Sequence, residues 1–118
     1  MIRNAEKQAH KSQFKYRVGA VLVRSGRVLS TGHNKVGHRS KQRIWESVHA
    51  EESAIVNALK SGSMGRIPGS ILYVVRILSD GSLSCAKPCT KCNALIQSVG
   101  IKKVVYTDWD GSTVVERM

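Results

Sequence analysis

The sequence predicts a three-layer α/β/α fold, in which helices cover both faces of a mixed five-stranded sheet. Two observations support this prediction. Helical and strand-like patterns follow one another along the 118 residues in the order α β β α β α β β. The run 71–75, Ile-Leu-Tyr-Val-Val, is continuously apolar and β-prone, as expected for a strand covered on both faces. A chain of this length is typical of one domain, so we expect residues 1–118 to form a single one.

The first predicted element is a helix over residues 4–13, with Asn4 as its N-cap. Ala5 and Ala9 recur at the i, i+4 spacing of one helix face. Because both side chains are small, we expect this face to pack closely on the sheet.

A hairpin follows the first helix. The runs 18–23 and 28–31 are apolar or β-prone, and Ser25-Gly26 between them is typical of a turn. Residues 32–47 are polar and show no clear period, and a connection of this length is often functional.

Two more helices are predicted over residues 49–60 and 88–99. Ser47 is the expected N-cap of the first, and Pro88 the expected opening residue of the second. The chain then contains two strand-like runs, 104–107 and 113–115, joined by a tight turn. We therefore expect a C-terminal antiparallel hairpin.

Basic residues are concentrated in the first third of the sequence. Residues 1–43 contain eleven Lys and Arg against one acidic residue, Glu6, a net charge of +10. Residues 44–118 contain eight basic and seven acidic residues, a net charge of +1. This asymmetry indicates a polyanionic partner or a phosphorylated substrate, and the alternative is simply a well-solvated surface.

Nothing in the sequence indicates a membrane or a secretory route. No apolar run approaches the about 20 residues of a membrane helix, and residues 1–4 lack an apolar signal region. We therefore expect a cytoplasmic protein with no membrane partner. Two of the three cysteines form a C-x-x-C pair, which favours metal binding over a disulfide framework.

Two short motifs combine into a candidate metal site. His49 opens one predicted helix, and Cys89 and Cys92 lie in the first turn of another, where the helix dipole favours thiolates. One imidazole and two thiolates suit Zn²⁺ and leave its fourth tetrahedral position for water. Glu51 can then move protons, provided that His49 stands at the very start of its helix, since the two side chains would otherwise diverge by roughly 200°.

His49-Ala50-Glu51 together with Pro88-Cys89-x-x-Cys92 resembles the zinc-dependent nucleobase deaminases, a superfamily that acts on cytidine, deoxycytidylate and polynucleotides. The resemblance covers nearly the whole chain and implies a cytidine-deaminase-like fold. It implies that His49, Cys89 and Cys92 bind Zn²⁺, that zinc-activated water attacks C4 of a cytosine ring, and that Glu51 protonates N3 and then the departing ammonia.

The same resemblance implies four substrate contacts. Asn34 matches an asparagine that contacts the sugar, and Ala50 matches a backbone N–H that contacts the base carbonyl. The backbone carbonyl of Cys85 corresponds to a contact with the amino group, and Trp109 lies where the family places a base-contacting loop.

Three of these four residues have a structural alternative. Cys85 can be the fourth ligand of a closed Cys₃His site, although Glu51 would then have no function. Asn34 can simply stabilise a turn, and Trp109 can cover the end of the sheet.

The sequence alone does not decide between a free nucleotide and a single strand of nucleic acid as the substrate. The expected C-terminal hairpin resembles the cytidine and polynucleotide branch of the superfamily. The amino-acid sequences of both motifs instead resemble the deoxycytidylate branch. A single strand of DNA or RNA needs a basic track and stacking aromatics such as Trp45 and Trp109, whereas a nucleotide needs a cation such as Arg17, Lys35 or Arg39. The basic first third favours a single strand slightly. A neighbouring subunit of a homo-oligomer can complete such a site. The alternative that is not an enzyme is an inert zinc-stabilised module that binds nucleic acid.

Overall fold

The structure, a computed structural model, describes residues 1–12, 17–36 and 47–118. Its helices are α1 (Ile2–Ala9), α2 (Ala50–Lys60) and α3 (Thr90–Ser98), with a 3₁₀ turn at Met64–Arg66. Its strands are β1 (Arg17–Arg24), β2 (Arg27–His33), β3 (Lys35–Val36), β4 (Ser47–Val48), β5 (Ile71–Ile77), β6 (Leu83–Ser84), β7 (Lys103–Thr107) and β8 (Thr113–Arg117). All predicted helices and strands are present, and the α/β prediction is confirmed.

The main sheet has the strand order β2-β1-β5-β7-β8. β5 and β7 run parallel, whereas the other neighbours on this path, including β7 and β8, run antiparallel. The mixed sheet and the C-terminal hairpin are therefore confirmed. Within the described residues the structure adds β6, which pairs with β5, and a separate β3–β4 ladder. These three strands have two residues each, too few to produce a recognisable period in the sequence.

Helices cover both faces of this sheet. Val21 and Val75 point toward α1, whereas Leu22 and Val74, their neighbours along the strands, point toward α2 and α3. This alternation is the period-2 pattern of strands buried on both sides.

Two glycines allow the helices to approach the sheet closely. A Cβ atom on Gly19 would lie 2.0 Å from the carbonyl oxygen of Ala5, so α1 rests directly on β1. A Cβ atom on Gly32 would lie 2.4 Å from the amide nitrogen of Ala54, so α2 rests directly on β2. Ala5 and Ala9 are fully buried, which confirms the predicted small-residue face of α1.

The residues predicted to cap or open the three helices are wrong by one to three positions. Asn4 lies inside α1, whose N-cap is Met1. Ser47 belongs to β4, and the N-cap of α2 is His49. Pro88 precedes α3, whose N-cap is Cys89. The cap is decided by where the chain leaves the extended conformation, and this depends on the preceding segment as well as on the cap residue.

Some sequence predictions fall outside the described residues. They concern Gln13 at the end of the predicted first helix, most of the loop over 32–47, Arg39 and Trp45, and the side chain of Lys35. In the described ranges no helix is long and apolar enough to cross a membrane.

Candidate metal and active site

The start of α2 presents His49 and Glu51 to the same cavity. His49 is the N-cap, with an extended backbone (φ −72°, ψ 152°), and Glu51 is the second residue of the helix. Because His49 is outside the helix, its side chain is not tied to the 100° step that would turn it away from Glu51. The role predicted for Glu51 required His49 to stand at the very start of its helix. This requirement is met, since His49 is the N-cap, one residue before the first helical position.

The position of α2 is fixed by contacts with β2. Besides the close approach at Gly32, the Ser30 hydroxyl donates to the carbonyl of Ala54 (2.7 Å). The Asn57 side-chain amide donates to the carbonyl of Thr31 (2.8 Å). These bonds join side chains to backbone, so they hold α2 at one height along β2 and thereby position His49 and Glu51.

The start of α3 supplies two thiols. Cys89 is the N-cap, and its sulfur accepts a hydrogen bond from the backbone N–H of Cys92 (3.5 Å). Cys89 is exposed, whereas Cys92 is buried against the protein. The C-x-x-C spacing therefore aims two sulfurs at one point through a single helical turn.

The two helix starts bring His49, Cys89 and Cys92 together, with their ligand atoms within 4.8 Å of one another. Nδ1 of His49 lies 3.2 Å from Sγ of Cys92 and 3.7 Å from Sγ of Cys89. Tetrahedral Zn²⁺ with bonds of about 2.0 Å to nitrogen and 2.3 Å to sulfur separates such ligands by about 3.5 Å. The donor set and its spacing therefore fit Zn²⁺ through Nδ1 of the histidine.

Cys85 does not belong to this cluster in the described part of the chain. A closed Cys₃His site therefore lacks its third sulfur, which would be the fourth ligand. Three protein ligands with a neighbouring carboxylate are instead the donor set of catalytic zinc sites.

Burial controls the electrostatics of the site. Burial, followed by the nearby Glu51 carboxylate, raises the pKa of the Cys92 thiol far above its ordinary range, against the thiolate predicted from the helix dipole. A bound cation acts in the opposite direction, since a coordinating thiol is deprotonated. Burial also raises the pKa of Glu51, while its own backbone N–H and then His49 lower it.

The cavity beside the ligands has a volume of about 270 Å³. Asn34, Ala50 and Cys85, three of the four predicted substrate contacts, line it together with Glu51. Asn34 is held at the wall by β1, since its side-chain oxygen accepts from the N–H of Val18 (2.9 Å) and its own N–H donates to the Val18 carbonyl. The structural and functional interpretations of Asn34 are therefore compatible.

Trp109, the fourth predicted contact, is absent from this lining. It lies on the turn between β7 and β8 with 74% of its surface exposed. A contact between Trp109 and the base stays a prediction, and it requires a substrate that extends beyond the cavity.

Two cations in the cavity wall were missed by the sequence analysis. Arg76 on β5 and Lys87 before α3 both line the cavity. Arg76 pairs with Val18 and Ser84 across the sheet, so it points to the face that carries α2 and α3. The sequence did contain a signal for Arg76, namely a charged residue directly after the apolar run 71–75. A buried strand rarely contains an arginine without a role.

Residues 1–108 match the family model of the cytidine and deoxycytidylate deaminase zinc-binding region. The chain belongs to this family. The geometry of His49, Cys89 and Cys92 agrees with the zinc-binding region that this family model describes.

Individual relatives differ in substrate. The chain is 33% identical over 89 residues to a tRNA-specific adenosine deaminase of Agrobacterium fabrum, an alignment that covers 75% of this chain and 49% of the relative. It is 26% identical to the deoxycytidylate deaminase of Enterobacteria phage T2, covering 79% of this chain and 69% of the relative. The chain thus spans about half the length of the Agrobacterium relative.

Among solved structures, the cytidine deaminase of Burkholderia pseudomallei superposes with a TM-score of 0.75 at 25% sequence identity. The superposition covers 98% of this chain and 88% of that one. The fold is therefore shared over essentially the whole chain, whereas the named substrates include both cytosine and adenosine compounds.

Proposed function

We propose that this protein hydrolyses the exocyclic amine of a cytosine base, converting it to uracil and releasing ammonia. The observation that carries the proposal is a buried carboxylate, Glu51, in the same cavity as His49 and Cys89 of the metal-ligand cluster. An inert zinc-stabilised module has no use for such a carboxylate. A volume of about 270 Å³ lies below the about 300–1,000 Å³ of sites for larger ligands, which suits a single base.

The chemistry divides between the metal and the chain. Zn²⁺ held by His49, Cys89 and Cys92 supplies a water molecule acidic enough to react at neutral pH. Glu51 takes a proton from the attacking water and delivers it to N3 of the ring. It then transfers the second proton to the leaving amine, so that one water is consumed and one ammonia is released.

The remaining cavity residues orient the base. The N–H of Ala50 belongs to the first turn of α2, where backbone donors have no partner within the helix, and it donates to the base carbonyl. Asn34 contacts the sugar, and the backbone carbonyl of Cys85 accepts from the amino group. The proposal is supported by the fact that these three residues and Glu51 line one cavity.

Two features support a single-stranded nucleic acid as the substrate. Trp109 exposes an aromatic face outside the cavity, and Lys87 places a cation in its wall. Part of the predicted basic field lies away from the cavity, because the exposed Arg3 and Lys7 are on α1, on the opposite face of the sheet. The basic track near the site is therefore shorter than the charge of residues 1–43 suggests.

A free nucleotide or nucleoside is the second candidate, as for the phage deoxycytidylate deaminase and the Burkholderia cytidine deaminase. Arg76 and Lys87 in the cavity wall offer charges for its phosphate. Arg17, predicted for that role, is half-buried and donates to the carbonyl of Leu78.

The test offers cytidine, deoxycytidylate and a cytosine-containing oligonucleotide side by side, at two salt concentrations, with the corresponding adenine compounds as competitors. Ammonia release from cytosine compounds supports the proposal, and release from adenine compounds alone contradicts it. Activity on the oligonucleotide that falls steeply with salt supports a strand. Equal turnover of mononucleotides, independent of salt, supports the second candidate.

Glu51→Gln isolates the proton transfer. We expect ammonia release to fall by about 10²–10⁴-fold, while Zn²⁺ content and fold stay unchanged. Glu52→Gln is the matched control, because Glu52 is the adjacent acid and does not line the cavity. A Glu51→Gln variant as active as the parent would show that the mechanism is wrong.

A further inference from the structure

A second cavity, of about 230 Å³, lies next to the first. Lys87 lines both cavities, and Pro88 and Thr90, which flank the metal-ligand position Cys89, line the second. The residues around it come from the start of α3 and from the last two strands: Lys87, Pro88, Thr90, Asn93, Val104, Tyr106, Glu116 and Met118. The segment that carries Cys89 therefore separates the two cavities.

The second cavity combines three apolar residues, Pro88, Val104 and Met118, with a fixed acceptor. The Tyr106 hydroxyl donates to Oε2 of Glu116 (2.9 Å). Burial, and then this carboxylate, raise the pKa of Tyr106 to about 12, so the phenol stays protonated at neutral pH. A carboxylate has about four acceptor positions, of which this bond uses one. Glu116 is thus held in place and can still accept hydrogen bonds from a ligand.

We propose that this second cavity binds the base of the nucleotide adjacent to the target cytosine in a single strand. The inference rests on the proposed function, and it specifies the form of the substrate. Each cavity is smaller than the about 300–1,000 Å³ of sites for larger ligands, so each suits one base rather than a whole nucleotide. Lys87 lines both cavities, and its positive charge matches the negative phosphate that links two successive nucleotides.

The polar groups of the cavity select among bases. Glu116 accepts hydrogen bonds, and an exocyclic amine is the donor that a carboxylate recognises on a base. Adenine, cytosine and guanine carry such an amine, whereas thymine and uracil offer one ring donor, N3–H, which lies between two carbonyl oxygens that a carboxylate repels. Asn93, half-buried on α3, adds one amide donor and one acceptor for a second hydrogen bond.

The experiment uses oligonucleotides with one cytosine and each of the four bases at its two neighbouring positions. We expect turnover to be lowest when thymine or uracil occupies one of these positions, by at least about fivefold. Ratios between contexts are compared within each protein, so a general loss of activity cancels.

Two variants test the assignment to this cavity. Glu116→Gln keeps the shape of the side chain and adds an amide donor, so the difference between contexts should shrink to within about twofold. Asn93→Ala should weaken the preference in the same direction. Gln97→Ala is the matched control, since Gln97 lies one turn further along α3, exposed and outside the cavity, and should keep the parental context profile.

The outcomes separate the two proposals. Equal turnover in every context, or a Glu116→Gln profile identical to that of the parent, overturns the flanking-base site. Deamination of mononucleotides without any activity on oligonucleotides overturns it too, while cytosine deamination stands. If no cytosine compound is deaminated, the proposed function fails, and the flanking-base site fails with it.

Discussion

On each face of the sheet a glycine allows a helix to pack closely on a strand, but the two contacts have different consequences. On one face α1 rests on Gly19, and on the other α2 rests on Gly32, each at a distance that leaves no room for a Cβ atom. Under α1 the contact buries Ala5 and Ala9 and contributes to the core. Under α2 the same kind of contact also sets the position of His49 and Glu51.

This difference indicates that close helix–sheet packing can serve stability alone or stability together with site geometry. What separates the two cases is the residue at the helix start. Met1 precedes α1 and brings no catalytic group, whereas His49 precedes α2 and brings a metal ligand. The two faces should therefore respond differently to equivalent substitutions.

The largest difference is expected from a pair of histidines, one at each helix. His49→Ala removes one of three ligands, so Zn²⁺ affinity should fall by more than the about 10–100-fold typical of losing a residue that only supports a ligand, and turnover should disappear. His10→Ala, at the exposed end of α1, should leave both unchanged. Metal content by atomic absorption and ammonia release check this pair, and equal Zn²⁺ loss in both variants would break the contrast between the faces.

The two glycines give the next largest effect. Gly19→Ala and Gly32→Ala each force a helix away from its strand, so each should lower the free energy of unfolding by about 1–3 kcal/mol. Gly32→Ala should in addition weaken Zn²⁺ binding, because the shift moves His49. Denaturant unfolding and zinc titration of the folded proteins separate the two effects. Equally weakened zinc binding in Gly19→Ala would contradict a purely structural role for the α1 contact.

A smaller effect is expected at Cys85. Its sulfur is outside the ligand cluster, and its proposed contact is made by the backbone carbonyl. Cys85→Ser should therefore keep full Zn²⁺ stoichiometry, with an affinity change below the about 10–100-fold of a supporting residue. Cys92→Ser is the comparison and should lose the metal. Loss of Zn²⁺ from Cys85→Ser would instead support the interpretation that Cys85 is the fourth ligand of a closed site.

The smallest effect concerns two tyrosines, one on each face. Tyr106→Phe, on the face of α2 and α3, removes the bond to Glu116 and should cost about 1 kcal/mol of unfolding free energy at neutral pH. Tyr73→Phe, on the α1 face, is the matched control for loss of a phenol hydroxyl.

The same tyrosine predicts a pH dependence. Its pKa is about 12 in the folded protein against an ordinary 10.0, so the folded state holds the phenol proton more tightly than the unfolded state. The stability that this provides is fully present below pH 10 and is lost as the pH rises toward about 12. Unfolding curves at several alkaline pH values check this, and a parent that loses no more stability over this range than Tyr106→Phe would contradict it.

The sequence alone determined the helices, the five long strands and the three metal ligands. Periodicity and apolar runs are local, and the C-x-x-C spacing commits two sulfurs to one helical turn wherever that helix lies. The motif around His49 also predicted that Glu51 faces the same site, since both residues belong to one helix start, and both line one cavity.

The tertiary structure decided everything that depends on register or on the approach of separate segments. Arg76 enters the cavity because β5 pairs with β1 and β6 in one register, and a shift of one residue would turn it to the α1 face. Trp109 is left outside the cavity by the direction of the β7–β8 turn, which no local pattern encodes. The second cavity exists because the start of α3 meets β7 and β8, and the motif around Cys89 does not show which residues of those two strands face it.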